Sequence, residues 1–588
     1  MFKMKNLSLP SRVLTAAVSR RIGALRSRAV LVSSAWIGAA LLAGCAGPLA
    51  VAPPPSTVAT GPVQVKVIAI NDFHGNLKAP PAGLRIKDPA DPKKLITVAA
   101  GGAEHMSTLV SEVRRKNPNH VFVAAGDLIG ASPVLSALFR DEPTVEALGM
   151  MGLDISAVGN HEFDKGSAEL LRMQNGGCHP SEGCKGPQPF KGAKYQYLAA
   201  STVDVRTGKT LLPPYTIRKF EGVPVAFIGL ALKDTPNMVM PSGVAGLKFR
   251  DEAETVNELV PEIRQQGVQT IVVLIHEGGF PTGDYNECPG ISGPIVDIVK
   301  KLDKAVGLVV SGHTHRAYNC QIDGRLVTSA DKYGTMLSEI DLQLERSSGR
   351  LLSARADNLI VHSDRIAKDP AMTRHIATYE ALAAPLAKRM VGRVSGPLST
   401  NDTGAGESAL GRVIADAQLA AMQAPADGGA QIALMNPGGI RAPLIPQPGG
   451  IIQYEDIFLV QPFYNQLITV TMTGAQLLET LEQQWLRQPA PRLLQVSRGF
   501  FYAWDPKRPV GQRVVPGSAT LNGQPLLPQG EYRVVMNAFL AQGGDNFTQL
   551  KLARNPTVGP MDVDALEQFI AKGGASSMPS EPRIQRVN

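Results

Sequence analysis

The stretch VQVKVIAINDFHGN (63–76) joins a run of β-forming apolar residues to a cluster of polar side chains. Its first part, residues 63–70, predicts a buried strand. The second part begins with Asn71 and Asp72, and His74 lies two residues after the aspartate. In extended chain, residues i and i+2 lie on the same side. The stretch therefore predicts a strand whose carboxyl end presents a carboxylate and an imidazole together.

Four later β-rich runs end in polar signatures of the same kind. Ligands of open α/β sheets gather outside the carboxyl ends of strands, so we expect all five loops to converge on one crevice. A sixth run, VPVAFIGLA (223–231), also predicts a strand but carries no such signature. The four runs and their signatures are HVFVAA (120–125) with GD (126–127), DISAV (154–158) with GNHEFD (159–164), TIVVLI (270–275) with HE (276–277), and VGLVV (306–310) with SGHTH (311–315).

The side chains in these loops suit borderline divalent cations such as Zn²⁺, Mn²⁺ or Co²⁺, because they are imidazoles, carboxylates and an amide. Half of the chain's ten histidines lie in the five loops. Taken singly, each motif is weak, because a buried histidine is more often satisfied by a hydrogen bond than by a metal. Five motifs in order at strand ends nevertheless indicate a metal site.

The length of 588 residues predicts at least two domains, and 44% apolar with 19% charged residues is typical of soluble globular protein. The alternation of strands and helices in residues 63–362 is typical of a layered α/β domain. Residues 363–391 have helical spacing at 369–390, and we expect a linker helix there. The helical patterns of the first domain lie at 103–116, 252–266 and 294–304.

Residues 392–588 contain loops rich in glycine and proline, mixed with β-rich and helical patterns. This mixture predicts an α+β domain. The β-rich runs lie at 466–474 and 532–539, and the helical patterns lie near 408–422 and 474–486.

The positive charge of the chain is concentrated at its amino terminus. Residues 1–44 contain seven of the 59 basic residues and no acidic residue, which leaves 52 basic against 51 acidic residues. A nearly neutral mature chain argues against a binding surface for a nucleic-acid polymer. Residues 1–44 have the basic, apolar and small-residue regions of an export signal, which predicts a protein of the bacterial periplasm or cell surface.

The sequence LAGC (42–45) resembles the bacterial lipobox, in which the cysteine becomes the lipidated first residue of the mature protein. It predicts a membrane anchor at Cys45, followed by a solvated tether through residue 62. A plain secretory signal or an uncleaved anchor is the alternative.

Four further cysteines follow: Cys178, Cys184, Cys288 and Cys320. Outside the cytoplasm an even number predicts disulfides, although four cysteines allow three pairings. We expect the local pair Cys178–Cys184 and the longer pair Cys288–Cys320, with free buried thiols as the alternative. Neither pair has the spacing of a zinc finger.

The ordered motifs D-x-H, G-D, G-N-H-E-F-D, H-E and G-H-T-H resemble those of the calcineurin-type metallophosphoesterases. The resemblance implies a four-layer α/β/β/α N-terminal domain with two divalent metal ions bridged by Asp127. The implied ligands of one ion are Asp72, His74 and His315, and those of the other are Asn160, His276 and His313. Relatives have Gln or Asn at the position of His315, which affects metal preference rather than binding.

The resemblance also implies a role for the two polar residues that follow Asn160. His161 would lie beside the transferring phosphoryl group and stabilise its charge or protonate the leaving oxygen. Asp164 would orient that imidazole through its other nitrogen, and a loop or helix cap is the alternative reading.

Three loops of the second part extend the resemblance to bacterial 5′-nucleotidases and UDP-sugar hydrolases, and to animal ecto-5′-nucleotidase. They are NPGGIR (436–441), QPFYN (461–465) and NAFLAQGGD (537–545). The resemblance implies that Arg441 binds the substrate, that two aromatic rings sandwich a nucleobase and that Asp545 binds the ribose. The implied substrate residues are Asn436, Gly438, Arg441, Phe463, Asn465, Phe539 and Asp545. Relatives carry a further arginine where this chain has TGAG (403–406).

The resemblance, which covers about residues 63–570, predicts a monomer that hydrolyses extracytoplasmic 5′-nucleoside monophosphates, with UDP-sugars as a further substrate class. A 2′,3′-cyclic-nucleotide phosphodiesterase with 3′-nucleotidase activity is the nearest rival, but that branch has GNHEFN where Asp164 stands here. A thiosulfate-ester hydrolase is more distant. The non-enzyme alternative is a nucleotide-binding surface lipoprotein. Such a protein would be expected to lack some of the metal ligands, and none of them is missing from this sequence.

Overall fold

The computed structural model describes residues 61–401, 403–575 and 581–587. The predicted export signal, Cys45 and almost all of the tether lie outside the described residues. Within the part of the chain that is described, no helix is long and apolar enough to cross a membrane.

The first half of the described chain alternates strands with helices, as its sequence predicts. Its strands are β1 (Val63–Ile70), β2 (Leu84–Asp88), β3 (Asp91–Val98), β4 (His120–Ala125), β5 (Ile155–Ala157), β6 (Gln196–Leu198), β7 (Thr202–Asp204), β8 (Tyr215–Phe220), β9 (Val223–Leu230), β10 (Leu247–Phe249), β11 (Thr270–Ile275), β12 (Val306–Ser311), β13 (Ala317–Ile322), β14 (Arg325–Ala330), β15 (Met336–Leu344) and β16 (Leu351–Ile360). Its helices are α1 (Ala103–Arg115), α2 (Val134–Ala137), α3 (Glu142–Met151), α4 (Ser167–Asn175), α5 (Thr235–Met238), α6 (Glu252–Gln265), α7 (Pro294–Lys301) and α8 (Pro370–Ala387).

Two six-stranded sheets form the centre of this half, in the orders β16-β15-β1-β4-β5-β6 and β13-β14-β12-β11-β9-β8. In the first sheet β1, β4 and β5 are parallel neighbours, and in the second β11 and β12 are parallel neighbours. These are the strands that precede the polar signatures. Their carboxyl ends therefore lie at common edges of the two sheets.

The two sheets pack face to face because β1 alternates its apolar side chains between two environments. Val65 and Val67 belong to the core between the sheets, together with Phe227 and Leu308 of the second sheet. Ile68 lies on the opposite face of β1, in a core shared with α1, α3 and α8. The outer face of the second sheet packs against α6 and α7. This order of helix, sheet, sheet and helix confirms the four-layer architecture.

The second half is of the α+β class. Its strands are β17 (Met390–Arg393), β18 (Ile432–Met435), β19 (Ile451–Gln453), β20 (Gln466–Thr473), β21 (Gln495–Val496), β22 (Phe500–Trp504), β23 (Thr520–Leu521), β24 (Gln524–Pro525), β25 (Glu531–Asn537), β26 (Arg554–Met561) and β27 (Ile584–Arg586). Its helices are α9 (Ala409–Met422), α10 (Tyr454–Val460), α11 (Gly474–Glu482), α12 (Ala538–Ala541) and α13 (Asp562–Ala571). The main sheet has the order β21-β18-β25-β20-β26, and a smaller sheet has the order β24-β23-β22-β27.

Helix α8 occupies the predicted linker region and packs closely on the first half. The side chain of Asp369 caps its first turn, accepting from the amide of Ala371 at 2.8 Å. Tyr379 in its middle donates to Glu146 at 2.9 Å. Directly after the helix, Lys388 forms an ion pair with Glu455 of the second half at 2.5 Å. The domain limits of 362 and 392 remain predictions.

Some element ends differ from the sequence prediction. The pattern at 294–304 predicts a longer helix, but α7 ends at Lys301 because Leu302 is extended, with ψ at 145°. The run at 532–539 predicts a strand through Phe539, whereas β25 ends at Asn537. There the side chain of Asn537 accepts from the amide of Leu540 and begins the short helix α12, which carries Phe539. Helix capping by asparagine thus overrides the apolar pattern.

The structure contains both expected disulfides, Cys178–Cys184 and Cys288–Cys320. The second pair links β13 to the segment that precedes α7.

Substitutions in the core between the two sheets test the layered fold. Leu308 on β12 is fully buried in it, whereas Leu352 on β16 is 53% exposed. We expect Leu308→Ala to lower the free energy of unfolding by about 2–5 kcal/mol, because it leaves a cavity. The matched control Leu352→Ala should change it by less than about 0.5 kcal/mol. Denaturant midpoints of the two variants measure the difference, and equal midpoints would contradict this packing.

Candidate functional site

The predicted loops converge at the carboxyl ends of the parallel strands. Their imidazole and carboxylate groups form three overlapping clusters, within each of which the ligand atoms lie within 4.8 Å of one another. Each cluster has the composition of a divalent metal site. The clusters are Asp72–His74–His315, His74–Asp127–His161 and Asp127–His276–His313.

The carboxylate of Asp127 is common to two of these clusters. Its Oδ2 lies 2.9 Å from Nε2 of His276 and 3.6 Å from Nε2 of His74. Its Oδ1 accepts from the backbone amide of His161 at 2.9 Å. Asp127 is only 1% exposed, so it meets ligands from both sheets inside the protein.

The tautomers of the buried histidines follow from their carbonyl partners. Nδ1 of His74 lies 2.8 Å from the carbonyl oxygen of Gly130, and Nδ1 of His276 lies 2.8 Å from that of Ala125. A carbonyl only accepts, so each Nδ1 carries a proton and Nε2 is the nitrogen that would face a metal ion. Nε2 of His276 also lies 3.2 Å from Oδ1 of Asn160. Outer partners of this kind orient metal-binding imidazoles in general.

The carboxylate of Asp72 provides a direct test of whether a cation fits. Its Oδ2 accepts from Nδ2 of Asn71 at 2.7 Å and from the amide of His313 at 2.9 Å. Its Oδ1 is buried and accepts no hydrogen bond from the described residues, although Nε2 of His315 lies 3.2 Å away. A buried oxygen without a donor, facing imidazole nitrogens, fits a divalent cation.

The ionisation of the cluster shows how strongly these groups interact. Burial lowers the pKa of His276, but the adjacent Asp127 carboxylate outweighs burial and raises the pKa to about 10. Burial, followed by repulsion from His276, lowers the pKa of His313 to about 3. In the metal-free protein His276 therefore holds a proton against Asp127. A metal ion would take the place of that proton.

Several of the proposed ligands have left-handed backbone conformations. The φ angles are 50° at Asp72, 47° at His74, 50° at Asp127, 69° at His313 and 54° at His315. Residues other than glycine rarely adopt such angles, and each costs on the order of 1–3 kcal/mol.

His161 and Asp164 form a pair at the edge of the metal clusters. Nδ1 of His161 lies 2.8 Å from Oδ2 of Asp164, and the ring of His161 lies 5.2 Å from that of His74. Burial lowers the pKa of His161, but Asp164 and Asp127 together raise it above its ordinary value. The pairing leaves Nε2 as the nitrogen of His161 that a ligand can meet.

Glu162, to which the sequence assigns no role, joins two of the loops. Its carboxylate accepts from the backbone amides of Asp127 at 3.0 Å, Leu128 at 2.8 Å and Gly159 at 2.6 Å. It is 2% exposed. Its position within GNHEFD is the only sequence signal for it.

The predicted residues of the second half face the metal clusters across one cavity of about 1060 Å³. This cavity is also lined by Asp127, Asn160, His161, Asp164 and His313. All seven predicted substrate residues line it, namely Asn436, Gly438, Arg441, Phe463, Asn465, Phe539 and Asp545.

Arg441 makes the closest approach between the two halves at this site. Its Nη2 donates to Nε2 of His74 at 3.3 Å, and its carbonyl oxygen accepts from Tyr333 at 3.1 Å. Its guanidinium also lies 5.8 Å from the ring centre of Phe463. A positive charge is thus held against His74, one of the predicted ligands of the first half.

The two predicted aromatic rings are anchored differently. The ring of Phe463 stacks on that of His161, with centroids 5.6 Å apart and planes at 24°. Phe539, half-buried on α12, packs so closely on Gly544 that a Cβ there would lie 2.4 Å from the ring. Glycine is therefore required beside Phe539.

Asp545 is held by two partners inside the cavity. Its Oδ2 accepts from Nδ2 of Asn436 at 2.7 Å, and its Oδ1 forms an ion pair with Arg492. Asn537 donates in turn to Oδ1 of Asn436 at 3.0 Å. Sequence reasoning missed Arg492, since it lies in a loop without a motif. Arg492 is another arginine of the cavity besides Arg441. The chain lacks the arginine that relatives carry at the position of residues 403–406.

Comparisons with known proteins agree with this architecture. Residues 65–317 match the family model of the calcineurin-like phosphoesterases, and residues 390–552 match that of the 5′-nucleotidase C-terminal domain. The fold and the site thus define a two-domain metallophosphoesterase.

Three similar proteins extend over most of this chain. The endonuclease YhcR of Bacillus subtilis is 31% identical across 86% of this chain, which spans only 40% of that relative. The cell wall protein Lmo0130 of Listeria monocytogenes is 30% identical across 86% of this chain and 67% of its own length. The structure of a 5′-nucleotidase precursor from Thermus thermophilus matches with a TM-score of 0.73 and 26% identity, covering 89% of this chain and 99% of that chain. The chain belongs to the 5′-nucleotidase family, whose members are phosphoric ester hydrolases.

The pairing of His161 with Asp164 predicts how the imidazole titrates. Because the Asp164 carboxylate stabilises the protonated ring, Asp164→Asn should lower the pKa of His161, so that the ring loses its proton at a lower pH. Imidazole NMR signals of the metal-free protein, followed through a pH titration, measure this shift. Asp427→Asn, at an exposed aspartate of the second half, is the control. An unchanged pKa in Asp164→Asn would contradict the pairing.

Proposed function

We propose that the protein hydrolyses 5′-nucleoside monophosphates to nucleoside and phosphate outside the cytoplasm, with UDP-sugars as a second substrate class. One observation carries the proposal. Arg441 and Phe463, from loops of the 5′-nucleotidase C-terminal domain, contact His74 and His161 of the candidate metal centre. Groups suited to a nucleotide and groups suited to phosphoester hydrolysis thus share one cavity.

The proposed metal centre holds two divalent ions, Zn²⁺, Mn²⁺ or Co²⁺, with Asp127 as the shared ligand. The buried Oδ1 of Asp72, which accepts no hydrogen bond from the described residues, and the placement of Nε2 of His74 and of His276 beside Asp127 support it. Such a pair of ions supplies an activated water and a clamp on the phosphoryl oxygens. The proposed ligands are Asp72, His74 and His315 on one side, and Asn160, His276 and His313 on the other.

His161 is proposed as the group that stabilises or protonates the leaving oxygen. Its place beside the clusters and its raised pKa support the protonated form. Asp164 is proposed as its positioning residue, because it holds Nδ1 and leaves Nε2 for the substrate.

Arg441 is proposed to bind the phosphoryl group, since its guanidinium lies above the metal ligands and matches phosphate geometry. Phe463 and Phe539 are proposed to hold the base, and stacking of a base on an aromatic ring is worth about 1–3 kcal/mol. Asp545, fixed by Asn436 and Arg492, is proposed to accept from the ribose hydroxyls. Gly438 and Asn465 line the same cavity and complete the proposed nucleoside site.

Export and anchoring through a lipidated Cys45 form part of the proposal, as does a monomeric state. The name of Lmo0130 as a cell wall protein and the presence of two disulfides support an extracytoplasmic location. The rival cyclic-nucleotide phosphodiesterase shares this metal chemistry, and a related protein is named an endonuclease. The substrate panel below therefore includes both kinds of substrate.

Metal dependence is the first test of the proposal. Chelated enzyme should release no phosphate from AMP above background, and added Zn²⁺, Mn²⁺ or Co²⁺ should restore release. His276→Ala should prevent restoration, whereas His120→Ala, at the opposite end of β4, should not. Chromatographic measurement of substrate consumed and product formed ranks AMP, UDP-glucose, 2′,3′-cyclic AMP and a single-stranded oligonucleotide, since only AMP releases inorganic phosphate in one hydrolysis. Full turnover by metal-stripped enzyme would refute the mechanism, and a preference for the oligonucleotide would refute the substrate class.

The proposed stacking role of Phe539 is tested separately. Phe539→Ala should raise KM for AMP by about 5–150-fold, the equivalent of about 1–3 kcal/mol of lost stacking. It should leave KM for glycerol 3-phosphate nearly unchanged, because that small ester has no aromatic ring to stack on Phe539. Phe501→Ala, at another half-buried phenylalanine of the second half, is the matched control. An equal loss for both esters would contradict the stacking role.

A further inference from the structure

Glu162 lies where the loop that carries Asp127 meets the loop that carries Asn160. One of its carboxylate oxygens, Oε2, accepts from the amides of Asp127 and Gly159, and the other, Oε1, accepts from the amide of Leu128. All three donors belong to the backbone, and they come from both loops. The carboxylate therefore holds the two main chains together.

The two loops pack too closely for either to move alone. A Cβ atom on Gly159 would lie 2.1 Å from Oδ1 of Asp127, so the Gly159 backbone lies flat against that carboxylate. The amide of His161, from the same loop, donates to this oxygen at 2.9 Å. Any shift between the loops would therefore displace Asp127 from His276, which lies 2.9 Å from its other oxygen.

The loop of Asp127 also needs an external restraint. Asp127 has φ at 50° and the preceding Gly126 has φ at 82°, so the turn combines two left-handed residues. An aspartate in this conformation costs on the order of 1–3 kcal/mol and persists only where its surroundings hold it. The Glu162 carboxylate supplies such a restraint, since it accepts from the amides of Asp127 and Leu128 on one loop and of Gly159 on the other.

We propose that Glu162 is a positioning residue of the metal centre, which sets the spacing between the shared ligand Asp127 and the ligand Asn160. Glu162 belongs to none of the three candidate ligand clusters and does not line the cavity, and it acts through the main chains of the two ligand loops. The inference rests on the proposed two-metal site.

The test is a metal titration that needs no substrate. Glu162→Gln keeps the size of the side chain but turns an amide group toward a backbone donor. Outer-sphere changes of this kind weaken metal binding by about 10–100-fold, and we expect that loss for at least one of the two ions. Competition of the purified protein with a chromophoric chelator for Zn²⁺ measures affinity, and elemental analysis counts the bound ions.

Glu482→Gln is the matched control. Glu482 also accepts from two successive backbone amides, those of Arg513 at 2.9 Å and Val514 at 2.7 Å, but in the second half. We expect it to keep wild-type affinity. Glu162→Asp keeps the carboxylate but shortens the side chain by one methylene, and it should lose affinity as Glu162→Gln does. It serves as the second variant if Glu162→Gln fails to fold. Thermal unfolding in chelator verifies that each variant is folded.

The outcomes separate the inference from the proposed function. Wild-type protein that binds none of Zn²⁺, Mn²⁺ or Co²⁺ would refute the metal centre itself. If the wild type binds two ions, unchanged affinity in Glu162→Gln would overturn the inference alone. Wild-type affinity in Glu162→Asp would show that the charge of the side chain matters rather than its position. An equal loss of affinity in Glu482→Gln would show a nonspecific effect. Either result would also overturn the inference.

Discussion

A buried carboxylate needs a hydrogen-bond donor or a positive charge at each of its oxygens, and Asp127 is a buried carboxylate among imidazoles. Its side chain meets His276, His74 and the amide of His161, and its own amide is held by Glu162. These partners come from the loops that follow β1, β5 and β11, so the carboxylate can lie here only when both sheets have formed and packed. The face-to-face core of the two sheets is in this sense a condition for the candidate metal centre.

The second half completes a site that the first half leaves open to solvent. Arg441 reaches His74, and Phe463 stacks on His161, so the cavity exists only between the two halves. A shared apolar core supports this arrangement, since it runs from Ile68 of β1 through Ile376 of α8 to Ile457 of α10. Substrate recognition and the candidate chemistry are therefore linked by ordinary packing as well as by contacts in the cavity.

The sequence predicted the elements whose signals are local. The runs at 63–70, 120–125 and 270–275 match β1, β4 and β11 residue for residue, because each is a short run rich in β-forming apolar residues that ends at a polar signature. The polar signatures directly after these strands are also local signals, and they indicated the candidate metal clusters. Glu162 and Arg492 escaped prediction, since their roles depend on partners about 35 and 53 positions away in the chain. Phe539 was placed on a strand because the capping bond of Asn537 leaves no trace in an apolar pattern.

The left-handed turns at the ligands have a consequence for protein engineering. At Asp72, His74, Asp127, His313 and His315 the native side chain is locally a poor choice for its backbone, and glycine would relax each turn. Screens that select only for thermal tolerance would therefore accept replacements at these positions and discard the metal centre. A more heat-resistant form of this protein has to be sought in its cores and surface loops, with the ligand turns excluded from variation.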